Sequence, residues 1–457
     1  MTAAAASSVE GNAAVAGSAP QELREREAAY HAFVAANLRR NFTGHFVHGM
    51  LGMTGFRLIY APTFIPSYIH RLTGSDALVG LGTALLQLGA IISPIFSATR
   101  FEHQPRILPY AIRTGMAMRL SILGLALAGW FLTGRTLLVA TLACLFLLGA
   151  FNGTQRVAFQ MLMAKVIPLQ RRGRLQAYRN TVGGAIAALL SYAAGRYLIE
   201  RDVGGNGYAT TIFLAFVLTS LGLTALRLFM VEPDPVSVRP AASFGERLRD
   251  FPRLLADRDY RWFVIAEALC VAARIASPFY ILYAGQQLGL SGRVIGELSL
   301  CYLGADTASN LLWGNLGDRT GYRLTLMAST VLWGAAIALL LAVHQPWAVF
   351  VAFCGLGAGA LGYQMSQQTM VLEFGERTDV AMRLALSTTI EGTISAIGPL
   401  IGGLVATTLG YRPLMGAAGA FLLASFVLIL TRVHEPRRKV RPVVATDLGE
   451  PEEVSVG

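Results

Sequence analysis

The sequence predicts an all-α protein that crosses a membrane many times. Of its 457 residues, 54% are hydrophobic and only 14% are charged, whereas roughly a quarter of the residues in a soluble domain carry charge. The mean hydropathy is +0.51. A helix needs about 20 mostly apolar residues to cross a hydrocarbon layer of about 30 Å, and runs of this length follow one another along most of the chain.

Twelve such runs predict twelve membrane-spanning helices, separated by short polar or charged segments. They occupy residues 43–68, 76–98, 107–132, 136–164, 174–198, 208–231, 260–286, 291–316, 322–343, 346–372, 382–408 and 412–433.

Positive charge indicates which side of the membrane the termini face, because Lys and Arg near span ends are retained in the cytoplasm. With the N-terminus inside, the cytoplasmic segments carry clusters such as Arg171, Arg172 and Arg174, and the opposite segments carry isolated arginines. We therefore expect both termini in the cytoplasm and the chain in a bacterial inner membrane. Contact with anionic lipid explains the net charge of +11, so no nucleic-acid partner is expected.

The chain divides into two halves of six spans each. We expect a first bundle over residues 42–232 and a second over residues 259–434, joined by a cytoplasmic linker at 233–258 that is rich in proline and charge. Residues 435–457 form a cytoplasmic tail. Internal six-helix repeats are a common plan of secondary transporters, which bind their solute between the halves near the middle of the bilayer.

Residues 1–41 precede the first span. The Ala-, Ser- and Gly-rich tract at their start is expected to be disordered. Hydrophobic residues then recur at helical spacing at Tyr30, Phe33, Val34 and Leu38. This spacing predicts an amphipathic helix on the cytoplasmic membrane surface. An extension of the first span is the alternative, since Asn37 interrupts the apolar face.

One polar segment between two apolar runs carries a specific pattern. Residues 314–323 have the sequence GNLGDRTGYR and are predicted to form a short polar hairpin between the eighth and ninth spans. The segment resembles the loop signature of the major facilitator superfamily, G-x-L-a-D-r-x-G-r-k-x-x-l. The matching residues are Gly314, Leu316, Asp318, Arg319, Gly321, Arg323 and Leu326. The resemblance covers about residues 42–434 and implies that family's fold, with two six-helix bundles around a central cavity.

The resemblance further implies that the signature is a conformational latch, which holds one face closed in one state and releases it in the other. The latch residues are Gly314, Asp318, Arg319, Gly321 and Arg323. Gly321 permits a tight turn, and Gly314 and Gly317 permit close helix approach. Asp318 can cap a helix N-terminus and pair with cations. A static turn is the alternative, and the first-half counterpart at residues 97–106 lacks the glycines and the Asp.

Charged and amide side chains inside the spans are the candidates for solute binding, because a charge near the bilayer centre costs about 2.5–3.5 kcal/mol on insertion scales. In the family that the chain resembles, the first, fourth, seventh and tenth helices line the cavity. The substrate-binding candidates on these helices are Arg57, Asn152, Gln155, Arg156, Arg274 and Gln364. Arg57 and Arg156 come first, since a guanidinium presents a fixed fork of donors to a carboxylate, a phosphate or a hydroxyl-rich solute. Ion pairing between helices is the alternative role.

Proton coupling needs a group whose charge changes during transport, which a buried carboxylate can supply. The candidates are Asp306 in the eighth span, Glu267 in the seventh and Glu391 in the eleventh. Asp306 is the first choice, because small and largely apolar residues surround it in the sequence. Structural pairing with Arg274 or Arg156 is the alternative for each carboxylate, and Na⁺ coupling stays open because the same groups bind either ion.

Histidine, cysteine and glycine residues within the spans are assigned packing or interfacial roles. His45 and His48 are expected at the membrane interface near the cytoplasmic end of the first span, with a part in a proton path as the alternative. The four cysteines have no metal-ligand spacing, so neither a metal site nor a cofactor is expected. The Gly-Pro-rich run at 398–403 resembles an antiporter pattern of the family's fifth span, but a kink and close helix packing explain it.

These features predict a secondary active transporter of a small polar or anionic organic solute, proton-coupled as a symporter or antiporter, which works as a monomer by alternating access. The chain is not expected to be an enzyme, since no catalytic cluster is present, or a primary pump, since G-x-x-x-x-G-K-[ST] is absent. The alternatives are a non-transporting membrane sensor or receptor on the same fold and a drug or metabolite exporter.

Overall fold

The protein is described by a computed structural model, which covers residues 24–101, 106–234, 251–374 and 380–435. Throughout these ranges the regular secondary structure is helical. Several sequence predictions lie outside the described residues: the disordered tract at the N-terminus, most of the linker, the C-terminal tail, and the centre of the first-half loop at 97–106.

Twelve helical units, which we number α1 to α12, coincide with the twelve apolar runs. Their bounds are α1, Leu38–Tyr60 and Phe64–Thr73; α2, Asp76–Phe101; α3, Leu108–Phe131; α4, Gly134–Val166; α5, Leu169–Ala193 with Ala194–Ile199; α6, Gly207–Phe229; α7, Arg258–Ala272, Ala273–Phe279 and Tyr280–Leu288; α8, Gly292–Thr320; α9, Tyr322–Ala342; α10, Pro346–Glu373; α11, Val380–Leu409; and α12, Tyr411–Arg432.

Ten of these units are long and apolar enough to cross a membrane. The other two, α1 and α8, have the length of a span but a more polar composition. Both contribute charged residues to the interior of the protein, Arg57 from α1 and Asp306 from α8. Their polarity therefore reflects the cavity that they line.

The first helix of each half is broken near its middle. In α1 the break lies between Tyr60 and Phe64 and contains Pro62. In α7 the segment Ala273–Phe279 winds as a 3₁₀ helix and contains Pro278. Proline removes a backbone donor and clashes with the preceding turn, which accounts for both breaks. Pro62 and Ser277, at these breaks, line the same cavity.

Helix contacts divide the molecule into two bundles. In the first, α1 packs on α5 and α6, α2 on α4, and α3 on α4 and α6; in the second, α7 packs on α12, α8 on α10, and α9 on α10 and α12. The bundles meet where α2 packs on α11 and α5 on α8. Large apolar side chains such as Phe131, Leu311 and Leu312 are exposed, as expected for helices that face lipid.

Because successive helices run in opposite directions, the short turns after α1, α3, α5, α7, α9 and α11 lie on one face, which we call the opposite face. The face with the helix at residues 24–36, the first residues of the linker and Glu435 is called the terminal face. The helix at 24–36 rests on the first bundle, since Val34 is buried and the Tyr30 hydroxyl donates to the Lys165 carbonyl at 2.6 Å.

Towards the opposite face, backbones of the two bundles approach closely. An added methyl group at Gly296 of α8 would lie 2.8 Å from the Tyr192 carbonyl oxygen and 3.1 Å from the Gly195 Cα. Gly80 of α2 likewise faces the Pro399 carbonyl of α11, so close packing accounts for the Gly-Pro-rich run.

Hydrogen bonds between the bundles add to this closure. The Tyr411 hydroxyl donates to Asp76 at 2.7 Å, and the Ser299 hydroxyl donates to Thr63 at 2.7 Å. The backbone N–H of Arg293 donates to the Glu200 carboxylate at 2.8 Å. The opposite face is therefore closed by direct contact between the bundles.

The polar hairpin predicted at residues 314–323 is wrong in form. Helix α8 continues to Thr320 and α9 begins at Tyr322, so Gly321 alone makes the turn, with φ at +91°. Only glycine adopts this backbone conformation without strain. The helix accommodates the polar residues of the segment because they lie at its end, where Asp318, Arg319 and Thr320 are exposed.

Among the described helices, Asp318 does not lie at an N-terminus, where the sequence had predicted a cap. It lies in the last turn of α8, where its carboxylate accepts a hydrogen bond from the Tyr322 hydroxyl at 3.2 Å. The carboxylate at the start of α9 is that of Glu435, which accepts from the Arg323 backbone N–H at 3.1 Å. The glycines also differ: a methyl group added at Gly317 would overlap the Tyr322 ring, while one added at Gly314 would have only an ordinary contact with Met365 at 3.4 Å.

Replacement of Gly296 by Ala is expected to destabilise the protein, because the methyl group would force α5 and α8 apart. Overpacking of this kind costs about 1–3 kcal/mol. The measurement is thermal unfolding of the purified protein in detergent. Gly304→Ala, on the same helix with open space around an added methyl group, is the matched control and should melt at or slightly above the temperature of the parent. Equal melting of the two variants would contradict the close approach.

Candidate functional site

A cavity of about 240 Å³ lies between the bundles at the breaks of α1 and α7. Helices of both halves line it, namely α1 from the first and α7, α8, α9 and α10 from the second. Of the residues predicted from the sequence, Arg57, Arg274, Asp306 and Gln364 are among its walls. We call this space the central cavity.

An ion pair joins the two bundles across the central cavity. Arg57 of α1 binds the carboxylate of Asp306 on α8 through Nη1, and the same nitrogen donates to the Thr307 hydroxyl at 3.2 Å. Their side chains are only 18% and 14% exposed. Pairing of Asp306 with Arg274 or Arg156, the structural alternative from the sequence, is therefore wrong: its partner is Arg57.

The second cavity arginine is also paired, within one bundle. Arg274 of α7 donates to Glu391 of α11 at 3.0 Å, and its guanidinium lies 5.4 Å from the centre of the Tyr363 ring. Each arginine of the central cavity thus has a carboxylate partner, although Glu391 itself is not among the residues that line the cavity.

Glu267, the third predicted carboxylate, lies in the second bundle and is only 2% exposed. Its Oε1 accepts from the Ser387 hydroxyl at 2.5 Å and from the Gln367 amide at 2.6 Å. Its Oε2 is buried and has no hydrogen-bond partner among the described residues. Since no cation of the described chain pairs with it, Glu267 differs from Asp306 and Glu391.

The remaining substrate-binding candidates lie in a different space. Asn152, Gln155 and Arg156 line a cavity of about 240 Å³ inside the first bundle, which we call the first-bundle cavity. The six predicted residues therefore line two cavities, which adjoin near Tyr60, a wall residue of the central cavity that lies close to Asn152 and Arg156. Arg156 is exposed, so this cavity is open at that residue.

Gln155 has a second role, in which it fastens helices together. It is buried, and its Oε1 accepts from Arg119 of α3 at 3.2 Å. Arg119 is fully buried as well and donates to the carbonyls of Thr219 on α6 and Gly115 on α3, at 2.9 and 2.7 Å. This network ties α3, α4 and α6 together.

Sequence reasoning missed several residues that line the cavities. In the central cavity they are the aromatic residues Tyr60, Tyr280, Tyr302 and Trp333, and in the first-bundle cavity they are His48 and Arg179. Aromatic side chains are so common in spans that composition alone did not mark them. Arg179 was not marked either, because an arginine close to the predicted start of a span at residue 174 can extend its long side chain to water.

His45 and His48, predicted near the cytoplasmic end of the first span, are buried within the protein. His45 is fully buried and His48 is 5% exposed, and the His48 ring stacks on Phe159 at 4.3 Å between centroids. The available signal was the set of glycines on the same helix, at residues 44, 49, 52 and 55. Small residues let neighbouring helices approach and bury what lies beside them.

Arg323 of the predicted latch is held within the second bundle. Its guanidinium donates to the carbonyls of Ile429 and Leu430 at the end of α12, at 3.1 and 2.9 Å. Arg319 is exposed on the terminal face. The described part of the latch thus combines one residue that ties α9 to α12 with an exposed cation.

The sequence is similar to a family of membrane transporters and to multidrug resistance proteins. Residues 262–451 match the family model described as Major Facilitator Superfamily. Multidrug resistance protein MdtG of Enterobacter lignolyticus is 26% identical over 427 residues, which cover 89% of this chain and 93% of that protein. The protein of the same name from Yersinia enterocolitica is 30% identical over 185 residues, or 39% of this chain and 43% of that protein.

Solved transporter structures have a similar fold. A D-xylose-proton symporter superimposes with a TM-score of 0.70 at 12% identity, over 88% of this chain and 99% of that one. A mutant of the nucleoside transporter NupG gives 0.65 at 13% identity, over 86% and 97%. The human organic anion transporter MFSD10 gives 0.59 at 15% identity, over 86% and 99%.

The coupling between Arg57 and Asp306 is measurable by a double-mutant cycle. Asp306→Asn alone leaves a shielded guanidinium without its partner and is expected to lower stability, whereas Arg57→Gln with Asp306→Asn removes both charges. The expected coupling energy is about 1–3 kcal/mol, the range for residues in direct contact. Thermal unfolding of the four proteins provides the measurement. Additive effects of the two substitutions would contradict an energetically significant pair.

Proposed function

We propose that this chain, a multi-pass transporter of the major facilitator superfamily, moves a small polar or anionic organic solute by proton-coupled alternating access. The resemblance seen in the sequence and the predicted all-α fold of that family are confirmed by the family match and the solved structures. The relatives and structural neighbours are transporters, not enzymes. The observation that carries the proposal is a cavity between two bundles, closed towards the opposite face and crossed by one ion pair.

The ion pair supports alternating access because it links the bundles at the cavity itself. Arg57 belongs to the first bundle and Asp306 to the second, so any group that competes for either side chain weakens a contact between the bundles. A solute carboxylate or hydroxyl competes for Arg57, and a proton competes for Asp306. Both therefore bias the same structural element, as coupled transport requires.

We place the terminal face in the cytoplasm and the protein in the bacterial inner membrane as a monomer. The support is the concentration of arginines on this face, which follows the positive-inside rule. The cavity in the described state then opens to the cytoplasm. Uptake and export both pass through such a state, so symport and antiport are equally compatible with it.

Among the three carboxylates, Glu267 is proposed as the proton carrier and Asp306 as the group that transmits the change. Asp306 and Glu391 each pair with an arginine, so a proton that binds either carboxylate has to compete with a guanidinium. Glu267 has two donors on one oxygen and none on the other, so Oε2 has room for a proton. An isolated buried charge is costly, and this cost makes the site sensitive to proton binding. Coupling to Na⁺ instead of the proton is distinguished by measuring whether transport responds to Na⁺ alone.

Export of amphipathic organic compounds is the second candidate. Four aromatic side chains line the central cavity beside the charged pairs, and aromatic walls bind large apolar groups. A relative that covers 89% of this chain is named a multidrug resistance protein. A membrane sensor on this fold, the remaining alternative, would bind a solute without moving it.

Glu267→Gln is expected to abolish solute-induced proton movement in proteoliposomes that contain a trapped pH-sensitive dye. The amide fits the same space but cannot exchange a proton at neutral pH. Solutes are first selected by thermal shift, since a ligand of the folded state raises its stability. Glu297→Gln is the control, because Glu297 pairs with Arg293 at 2.7 Å near the opposite face. Normal proton movement by the Glu267→Gln variant would contradict the assignment. If transport responds to Na⁺ and not to protons, Na⁺ is the coupling ion.

Two latch residues are expected to respond differently to substitution. Asp318→Asn should change the transport rate while the protein folds normally. Arg323→Gln should lower the stability by about 1.5–3 kcal/mol, because charge-assisted hydrogen bonds to two carbonyls of α12 are lost. Transport assays and thermal unfolding of both variants separate the roles. Unchanged transport by a folded Asp318→Asn protein would show that its carboxylate is not part of a latch.

A further inference from the structure

The first-bundle cavity is distinguished by its charge. Arg156 of α4 and Arg179 of α5 are among its walls, and none of the described residues that line it is an Asp or a Glu. The central cavity, in contrast, contains two arginines that are each paired with a carboxylate. The two cavities have similar volumes, so charge and not size is what separates them.

Neither arginine is satisfied by the described chain. Arg156 makes no hydrogen bond or ion pair with another described residue. Arg179 donates once, from Nη1 to Gln176 at 3.2 Å, and its Nε is buried without a partner. A guanidinium has five N–H donors, and an unsatisfied buried donor costs about 1–3 kcal/mol. This cost applies to the buried Nε of Arg179, whereas the donors of the exposed Arg156 are open to any acceptor in the cavity.

The position of Arg179 is built into the packing of α1. Its side chain lies across Gly49, where an added methyl group would overlap the guanidinium. His48, the preceding residue, is 5% exposed, lines the same cavity and has a buried Nδ1 without a partner. Asn152 and Gln160 add amide donors to the walls. An imidazole with one unpartnered nitrogen and two guanidinium groups therefore line one space.

We propose that the first-bundle cavity binds the anionic group of the transported solute, a carboxylate or a phosphate, between Arg156 and Arg179. This rests on the proposed transport function and narrows its solute to an anionic organic compound. A guanidinium matches the planar or tetrahedral arrangement of such oxygens with paired hydrogen bonds. Because no acidic side chain competes within the described walls, the negative charge must come with the ligand.

Binding is tested in nanodiscs of phosphatidylcholine, by the thermal shift of the full-length protein with benzoate, phenyl phosphate and the neutral analogue benzamide. The anions should stabilise the protein in a concentration-dependent way, and benzamide should not. Arg156→Gln and Arg179→Gln should each weaken the apparent affinity for the anions at least tenfold. Arg174→Gln is the matched control, since Arg174 is exposed on α5 and donates to the Tyr178 hydroxyl at 2.9 Å; it should leave the affinity unchanged.

A second pair of variants tests the geometry without removing a charge. Gly49→Ala should displace Arg179 and weaken anion binding, whereas Gly52→Ala, with only an ordinary contact to Phe56 at 3.8 Å, should not. If an arginine variant does not fold, this pair decides the outcome. Equal stabilisation by benzoate and benzamide, no stabilisation by either anion, or equal affinities of the two glycine variants would overturn the proposal.

The source of the anion is separated by lipid composition, because a phospholipid headgroup has the same chemistry as a free phosphate. If phosphatidylglycerol in the nanodisc occupies Arg156 and Arg179 and thereby abolishes the stabilisation by benzoate, the site belongs to a lipid and the solute proposal fails. Retention of the benzoate effect supports it. Transport is measured independently by the proton assay, so proton movement with a neutral solute and no anion binding would refute this site while leaving the transport function standing.

Discussion

The rest of the structure depends on the need to compensate charge inside a membrane-spanning protein. A charge without a partner is costly in a low-dielectric interior, and Arg57 and Asp306 meet this need for each other across the boundary between the bundles. Their helices, α1 and α8, are therefore more polar than the other spans. The same contact makes the boundary sensitive to any proton or solute that competes for one of the partners.

Glycine packing holds the two bundles together independently of the ion pair. Close approach of α5 to α8 and of α2 to α11 closes the opposite face through backbone contact, which involves few flexible side chains. Each bundle is also fastened internally, by the Arg119 network in the first and by Arg323 on α12 in the second. Rigid bundles with a separable boundary are what a rocking movement needs.

Charge also divides the interior into two environments. The central cavity combines paired charges with an aromatic wall, whereas the first-bundle cavity contains cations that the described chain does not neutralise. A solute with an anionic group and an apolar body has favourable contacts in both. Glu267 stands apart from both cavities, among the hydroxyl and amide groups of Ser387 and Gln367, where proton binding does not compete with an arginine.

The sequence by itself determined the number and type of helices, the glycine turn at Gly321 and the resemblance to a transporter family, because apolar length and glycine act on nearby residues. Only the tertiary structure decided that Asp306 pairs with Arg57, that the candidate residues separate into two cavities, and that His45 and His48 are buried. These outcomes depend on contacts between distant parts of the chain; Arg57 and Thr307, for example, are 250 positions apart. A span specifies its own apolar length, but the partner of each polar group in it is set by the helix that packs against it.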